Sequence, residues 1–261
     1  MWGIVPAAGA GSRIQPLAFS KELLPVGGRM DGAVERPRAV SEYLLERMLL
    51  AGARRICFVI SPGKSDILEY YGGSFGPAAI NYVVQPEPHG LCDAIFRPLF
   101  LISPDQTVIA GLPDTIWFPD TALSALPKGV LSFLLFPVKR PEFFDAVVMD
   151  RGGRVKEIQV KRSRPDSSWI WGAFSSPGAI LQELFELWCE RGRADQYIGT
   201  LVNAWLARGG EARGVKAGTS YVDVGTLNGY REAIRLLGAW SHRAAVSTPC
   251  QAKLAKGAAR D

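Results

Sequence analysis

Short apolar runs rich in β-forming residues alternate with stretches of helical spacing along this chain, and this alternation limits the fold more than any other feature. The runs occupy residues 2–5, 55–61, 80–85, 107–112 and 130–136. Strands that are apolar throughout are covered on both faces, and intervening helices provide the connections that parallel strands need. The pattern predicts a three-layer α/β fold: a mostly parallel sheet with helices on both faces.

The stretch SEYLLERMLLAG, residues 41–52, predicts one of these helices. Leu45, Met48 and Leu49 recur at helical spacing. Ser41 is predicted as the N-cap residue, because its hydroxyl can accept a hydrogen bond from an unpaired backbone N–H. Gly52 is predicted as the residue that follows the C-cap.

The middle of the chain predicts a smaller β-rich lobe. Residues 146–150 and 155–160 flank a Gly-Gly turn, and paired glycines supply the positive φ that hairpin turns need. Two helices, a short strand ending at Asp223 and a last helix should follow. We therefore expect one domain over residues 1–240 and a flexible basic tail over residues 241–261.

Composition excludes several classes of protein. The chain has 261 residues, a net charge of +5 and two histidines, so any metal should be held by oxygen rather than by histidine. No stripe of aromatic and basic residues suggests nucleic-acid binding. The longest apolar runs are shorter than the ~20 residues that span a bilayer, so no membrane partner is expected and a cytoplasmic location is predicted.

The loop after the first apolar run predicts a negatively charged ligand. Gly9 and Gly11 let the backbone approach a ligand closely and expose N–H groups, as in phosphate-binding loops. A dinucleotide-binding fingerprint would need a glycine where Ile14 stands. The sequence Gly63-Lys64-Ser65 is not a P-loop either, since Phe58 occupies the position of its first glycine.

The rest of this loop carries a longer motif. The order G-x-G-S-R, Pro16 and then K-E-L-L-P-V at residues 21–26 resembles the signature of the sugar-1-phosphate nucleotidyltransferases, and most of all their glucose-1-phosphate thymidylyltransferase branch. The resemblance implies a nucleotide-diphospho-sugar transferase fold with a β-rich sugar-binding lobe. It also implies that Arg13 and Lys21 meet the triphosphate. The residues implied to meet the nucleotide are Ala8, Gly9, Ala10, Gly11 and Ser12.

Two aspartates at strand ends are candidate ligands for Mg²⁺, the cofactor that we predict. Asp114 and Asp223 each stand where a strand gives way to a loop, and Mg²⁺ usually binds one or two carboxylates together with phosphate oxygens. In the family that the chain resembles, aspartates at these places bind the metal, although Pro113 and Thr115 depart from its pattern around the first. We expect both aspartates to converge with Arg13 and Lys21 in one cleft at the carboxyl edge of the sheet.

The stretch VQPEPHGLCDAI, residues 84–95, resembles the base-recognition segment of the same family. The resemblance implies that Gln85 and Gly90 contact the base. A glutamine amide can pair with the edge of thymine or uracil, although it can turn over to suit other bases. We therefore favour dTTP or UTP as the nucleotide.

The acceptor end of the resemblance contains both matches and departures. The resemblance implies that Lys161 binds the phosphate of a sugar 1-phosphate and that Gly172 and Arg193 belong to the same site. Val160 replaces a glutamate that receives sugar hydroxyls in the family, and Asp145 replaces a glycine. These two positions belong to the predicted sugar-phosphate site, and their departures question whether the acceptor is glucose 1-phosphate.

Our main interpretation is an Mg²⁺-dependent enzyme that joins a nucleoside triphosphate to a sugar 1-phosphate and releases pyrophosphate. The resemblance also allows for a homo-oligomer, and residues 28–40 belong to a stretch in which the family is shorter.

Two other interpretations stay open. In the first, the enzyme uses CTP and a non-sugar acceptor such as phosphocholine or a phosphonate, because the acidic Asp145 suits a cationic acceptor. In the second, a non-catalytic relative binds a nucleotide or NDP-sugar and regulates a partner.

Overall fold

The structure is a computed structural model that describes residues 1–247, with side chains described through residue 238. Each of the five apolar runs is a strand, as predicted. The strands are β1 (Trp2–Pro6), β2 (Pro25–Asp31), β3 (Val34–Ala39), β4 (Arg55–Ile60), β5 (Ser74–Phe75), β6 (Ala78–Val84), β7 (Thr107–Gly111), β8 (Thr115–Phe118), β9 (Leu131–Pro137), β10 (Asp145–Met149), β11 (Val155–Val160), β12 (Trp169–Pro177), β13 (Ala212–Val215) and β14 (Ser220–Asp223). The helices are α1 (Val40–Leu50), α2 (Ser65–Tyr71), α3 (Gly90–Phe96), α4 (Gly178–Glu190), α5 (Ile198–Ala207) and α6 (Leu227–Ser247).

The central sheet has ten strands in the order β11-β10-β12-β7-β1-β4-β6-β5, with β9 beside β12 and β13 beside β9. Strands β7, β1, β4 and β6 are parallel, which confirms the α/β prediction. The sequence pattern did not predict β12, which runs antiparallel to both β7 and β9. Its apolar run is interrupted by Gly172, Ser175 and Ser176, all of which are buried.

Helices cover both faces of the sheet, as the three-layer prediction requires. In β4, Ile56 and Phe58 pack with α1 in one apolar core, whereas Cys57 and Val59 pack with α4 and α5 in a second core. Successive residues of a strand point to opposite faces, so an unbroken apolar strand supplies both cores. This explains why these runs lack the polar alternation of a half-exposed strand.

The predicted hairpin is present as β10 and β11. Asp150 accepts hydrogen bonds from the N–H groups of Gly152 (2.9 Å) and Arg154 (3.0 Å), and Gly153 adopts a φ of +80°. The hairpin joins the central sheet through β12, and α5 packs against β11. The β-rich lobe is therefore continuous with the central sheet.

One end of α1 differs from its prediction. Gly52 follows the C-cap with a φ of +98°, as predicted, but Ser41 lies inside the helix and Ala39 is the N-cap residue. The Ser41 hydroxyl instead donates to the carbonyl of Glu22 (2.7 Å). The N–H of Val40 donates to the carbonyl of Leu24 (2.9 Å), so the signature segment caps this helix through its backbone.

Two terminal or inserted segments also take defined forms. Residues 28–40 form most of the hairpin of β2 and β3, which is a separate two-stranded sheet. Helix α6 runs to Ser247, so the first residues of the predicted tail are helical, and residues 248–261 lie outside the described part. None of the helices within residues 1–247 combines the length and hydrophobicity needed to cross a bilayer.

Candidate active site

A cleft of about 350 Å³ lies at the carboxyl edge of the parallel strands, beyond the ends of β1 and β7. Arg13, Lys21, Asp114 and Asp223 all line this cleft, which confirms the expectation that the four charged side chains converge. The other predicted site residues that line it are Gly9, Gly90, Asp145 and Lys161.

The four charged side chains form two ion pairs of different burial. Lys21 Nζ lies 2.5 Å from Asp114 Oδ2, and both side chains are largely buried, at 15% and 12% exposed. Arg13 Nη2 lies 3.0 Å from Asp223 Oδ2, but the arginine is 62% exposed. The Arg13 guanidinium therefore stands at the mouth of the cleft, where it can exchange its partner for a ligand.

Electrostatics keep the buried pair ionised at neutral pH. Burial by itself would raise the pKa of Asp114, but Lys21 lowers it, with help from Arg13, and the net pKa lies below its ordinary value. Burial would likewise lower the pKa of Lys21, yet Asp114 and Glu22 more than offset this and the net pKa is raised. Lys21 and Asp114 thus form a buried ion pair in which both side chains are charged.

Strand pairing brings the two aspartates together. In the two-stranded sheet of β8 and β14, Asp223 pairs with Thr115, the residue after Asp114. A Cβ placed on Gly225 would lie 2.8 Å from Asp223 Oδ1 and 3.2 Å from Asp114 Oδ2, so both carboxylates face the same small space beside this glycine. The N–H of Gly225 also donates to Asp223 Oδ1 at 2.7 Å.

These two carboxylates fit a magnesium ion. Hard oxygen donors suit Mg²⁺, which keeps open positions for water or phosphate oxygens. Within the described residues, no group of three or more His, Cys, Asp or Glu side chains could hold a metal. A metal at this place would therefore need ligands from the substrate in addition to Asp114 and Asp223.

The glycine-rich loop passes over one side of the cleft. Gly9 lines the cleft with open space where a side chain would be, and Gly11 adopts a φ of +67°. A Cβ on Gly11 would lie 2.8 Å from Lys21 Cδ, so glycine here also leaves room for that lysine. Ala8 is buried, Ala10 and Ser12 are exposed, and neither these three nor Gly11 contributes to the cleft wall.

Lys64 anchors both ends of this loop, a role that the sequence reading missed. Its buried ammonium group donates to the carbonyl of Ala7 (2.6 Å) and to both carboxylate oxygens of Glu22 (2.7 and 2.9 Å). Burial raises the pKa of Glu22, against the opposing effect of Lys64 and Lys21. The motif Gly63-Lys64-Ser65 fails as a P-loop, but its lysine points toward the same loop region from a neighbouring strand end.

The two residues predicted to meet the base are placed differently. Gly90 lines the cleft with a φ of +92°, and a Cβ there would come within 2.8 Å of the backbone of Gln196. Gln85 is buried and does not line the cleft; its amide donates to Asp93 Oδ2 (2.7 Å) and to the carbonyl of Gly90 (3.2 Å). Gln85 thus supports the first turn of α3, where Gly90 lies.

The predicted acceptor residues are only partly brought together. Asp145 and Lys161 line the cleft, whereas the other three lie elsewhere. Val160 packs beside Gly199, and Gly172 is too close to the rings of Tyr221 and Phe136 to carry a side chain. Val160, which departs from the family pattern, and Gly172, which matches it, therefore affect the cleft through packing and do not line it.

Arg193 is the clearest departure from the predicted site. It is exposed, does not line the cleft, and follows α4 with a φ of +58°. Its N–H donates to the carbonyl of Trp188 (2.8 Å), and its guanidinium carbon lies 5.5 Å from the centre of the Trp188 ring. In this structure Arg193 terminates a helix and packs on an aromatic ring.

Aromatic side chains form the wall around Asp145 and Lys161. Sequence reasoning missed them, because single aromatic residues on separate elements carry no spacing signal. Lys161, with a φ of +44°, places its Nζ 3.3 Å from the Tyr197 hydroxyl and 4.7 Å from the centre of that ring. The aromatic residues of the wall are Phe143, Phe144, Trp171, Tyr197 and Tyr221.

Two curated enzymes with the same name are similar to this chain over most of its length. The glucose-1-phosphate thymidylyltransferase of Neisseria meningitidis serogroup A / serotype 4A is 27% identical over 245 residues, which cover 89% of this chain and 81% of that protein. The glucose-1-phosphate thymidylyltransferase of Mycolicibacterium smegmatis is 28% identical over 250 residues, with the same coverage of 89% and 81%.

Solved structures share the fold. A Bacillus anthracis protein in complex with sucrose superposes with a TM-score of 0.75 at 23% identity, over 90% of this chain and 95% of that one. A UTP-bound UGPase from Acinetobacter baumannii gives a TM-score of 0.71 at 19% identity, over 95% and 99% of the two chains.

A family model described as nucleotidyl transferase matches residues 2–239, which is nearly the whole described part of the chain. The match includes the glycine-rich loop, both aspartates and the acceptor end of the cleft. This chain therefore belongs to the nucleotidyl transferase family.

Proposed function

We propose that this protein is an Mg²⁺-dependent enzyme that transfers a nucleotidyl group from a nucleoside triphosphate to the phosphate of a sugar 1-phosphate or a closely related phosphate monoester. The products are an NDP-sugar, or its counterpart, and pyrophosphate. The names of the curated relatives support this class of reaction and favour dTTP as the nucleotide, with UTP as our second candidate. The single observation that carries the proposal is the convergence of two cations and two carboxylates in one cleft.

The proposed reaction needs those cations because two anions must meet. An oxygen of the acceptor phosphate forms a bond to the α-phosphorus, and the bond from that phosphorus to the bridging oxygen breaks as pyrophosphate leaves. Two unit charges 4 Å apart repel by about 1 kcal/mol in water and by about 4 kcal/mol at the effective dielectric near a protein surface. Fixed positive groups that offset this repulsion contribute most of the catalysis in such transfers.

Arg13 and Lys21 are suited to this work in different ways. Lys21 is largely buried and fixed by Asp114, so its charge is already oriented before a triphosphate binds. Arg13 is 62% exposed and would bind the phosphates from the mouth of the cleft. A guanidinium can bind two phosphate oxygens at once, whereas an ammonium acts as a point charge.

Asp114 and Asp223 would hold the magnesium ion. When bound, the ion would supply further neutralisation of the phosphate oxygens. In this structure the two aspartates pair with Lys21 and Arg13. The carboxylates that would bind the metal and the cations that would bind the phosphates are therefore already in contact with one another.

The remaining residues position the two substrates. The backbone of residues 8–12 would meet the nucleotide, with Gly9 nearest the cleft, and Gly90, supported by Gln85, would meet the base. Lys161 would bind and orient the phosphate of the acceptor. Gly172 and Val160 shape the wall through packing, and we assign no direct contact with substrate to Arg193.

Pyrophosphate release tests the proposal directly. Purified protein with Mg²⁺, each nucleoside triphosphate and a panel of phosphate monoesters should release pyrophosphate, and Asp114→Asn should abolish most of that release. Nucleotide binding by calorimetry without release, unchanged by Asp114→Asn, would instead support the non-catalytic regulator.

A further inference from the structure

Asp145 places a carboxylate at the acceptor end of the cleft. Its Oδ1 atom is buried and has no hydrogen-bond partner among the described residues. The Trp171 indole N–H and the backbone N–H of Lys161 lie near enough to favour the charged form of Asp145. Burial raises the pKa of Asp145, against the opposing effect of Lys161. Asp145 nevertheless lines the cleft, so a ligand at this end meets the charge of the carboxylate although Oδ1 itself is covered by protein.

Lys161 provides a positive charge beside this carboxylate without neutralising it. Asp145 and Lys161 lie close together across the hairpin, because Asp145 pairs with Val160, the residue before Lys161, in the antiparallel β10–β11 ladder. The N–H of Lys161 donates to the carbonyl of Phe144 at 3.2 Å, while its ammonium group points to Tyr197. Among the described side chains, Asp145 has no ion-pair partner within 4.0 Å.

The aromatic wall suits a cation. Phe143, Phe144, Trp171, Tyr197 and Tyr221 line the same end of the cleft as Asp145. The face of an aromatic ring attracts a positive charge, most strongly when the charge is desolvated. The Tyr197 ring already has the ammonium group of Lys161 4.7 Å from its centre.

We propose that the acceptor is zwitterionic: a phosphate monoester that carries a positively charged nitrogen a short chain away from its phosphate. The phosphate binds Lys161, and the nitrogen lies between the aromatic wall and Asp145. This inference rests on the proposed function and names the acceptor class of the same reaction. The nitrogen takes no part in the bond changes, which remain those of pyrophosphate release.

The zwitterion explains more of the site than a neutral hexose phosphate does. Sugar hydroxyls could donate to Asp145, but they would leave its charge uncompensated in a partly buried, aromatic environment. A cationic nitrogen offsets the charge of Asp145 and uses the ring faces at the same time. The adjacent opposite charges of Lys161 and Asp145 then match the adjacent opposite charges of the ligand.

Two matched pairs of acceptors test this inference. Glucosamine 1-phosphate and glucose 1-phosphate differ by an amine in place of a hydroxyl, and phosphocholine and 3,3-dimethylbutyl phosphate differ by a charged nitrogen in place of a carbon. We expect kcat/KM for the charged member of at least one pair to exceed that of its neutral partner by about tenfold or more. Preference in the first pair identifies an amino sugar phosphate, and preference in the second identifies an alkylammonium phosphate.

Asp145→Asn adds a readout that a loss of folding cannot imitate. The variant should reduce the charged-to-neutral ratio of kcat/KM toward one, because it keeps the shape of the side chain and removes its charge. Equal or greater activity with the neutral members in wild-type protein would overturn the inference while leaving the proposed function intact. If no acceptor supports pyrophosphate release, the proposed function fails. In that case, calorimetry that compares the binding of phosphocholine with the binding of 3,3-dimethylbutyl phosphate still tests the acceptor end separately.

Discussion

Asp223 and Thr115 face each other in the antiparallel pair of β14 and β8, and this register brings Asp223 beside Asp114. The N–H of Val224 then donates to the carbonyl of Asp114 at 2.8 Å, which ties the two strand ends together. Gly225 leaves the space that both carboxylates face. The distance between two proposed metal ligands that are far apart in the chain is thus controlled by one short strand pair and one glycine.

Gly225→Ala should therefore impair magnesium use more than folding. The new Cβ would lie 2.8 Å from Asp223 Oδ1 and 3.1 Å from Arg13 Nη2, so these side chains must move apart. We expect the Mg²⁺ concentration for half-maximal pyrophosphate release to rise by about tenfold or more, in line with losses at metal-orienting positions. Gly73→Ala is the matched control, because a Cβ there meets nothing within 4 Å. An unchanged Mg²⁺ requirement in Gly225→Ala would contradict the proposed metal site.

Arg13→Ala should lower activity with little effect on stability. The arginine is 62% exposed, and exposed ion pairs contribute only about 0–1 kcal/mol to the free energy of unfolding. Removal of a charge that stabilises a transition state costs roughly 10²–10³-fold in kcat. Arg36→Ala removes a similarly exposed arginine, paired with Asp31 in the β2–β3 hairpin, and should leave pyrophosphate release unchanged. Equal activity of the two variants would exclude Arg13 from the reaction.

Lys64→Met should destabilise the protein through the charge that it leaves behind. Glu22 would remain buried without Lys64, and breaking a buried pair in this way costs about 3–5 kcal/mol. The double variant Lys64→Met/Glu22→Gln removes that unpaired charge and should recover part of the loss. Urea unfolding of the two variants measures the difference. If the double variant is no more stable than the single one, the buried charge is not the cause.

The pH dependence of stability should reveal the Lys21–Asp114 pair. The pKa of Asp114 is lowered in the folded state, so its stabilising effect is present above its ordinary pKa of 3.8 and is lost as pH falls through the lower folded value. Asp114→Asn lacks this component. The free energy of unfolding of wild-type protein should therefore fall more steeply than that of the variant between about pH 5 and about pH 2. Parallel curves would show that Asp114 is not held by Lys21.

The predicted cytoplasmic location and homo-oligomer stay predictions, as does the flexible tail beyond Ser247. Size-exclusion chromatography with light scattering would measure the oligomeric state of the full chain.

The sequence by itself determined the layered architecture and the two charged ends of the site. Unbroken apolar runs identified the buried strands, because a strand covered on both faces needs apolar side chains in both directions, as in Ile56 and Cys57. The loop around Gly9, with Arg13 and Lys21, could be identified from the sequence because its residues are close together in the chain. Asp114 and Asp223 could be identified as candidates because each lies at or near the end of a strand.

Only the tertiary structure decided several other contacts between residues that are far apart in the chain. Lys64 meets Glu22, the aromatic wall assembles around Asp145, and Arg193 turns away onto Trp188. Strand β12 was not predicted from the hydrophobic pattern either, because a buried glycine and two buried serines interrupt its apolar run. Such contacts depend on strand register and on the space between elements, and local spacing in a sequence carries no information about either.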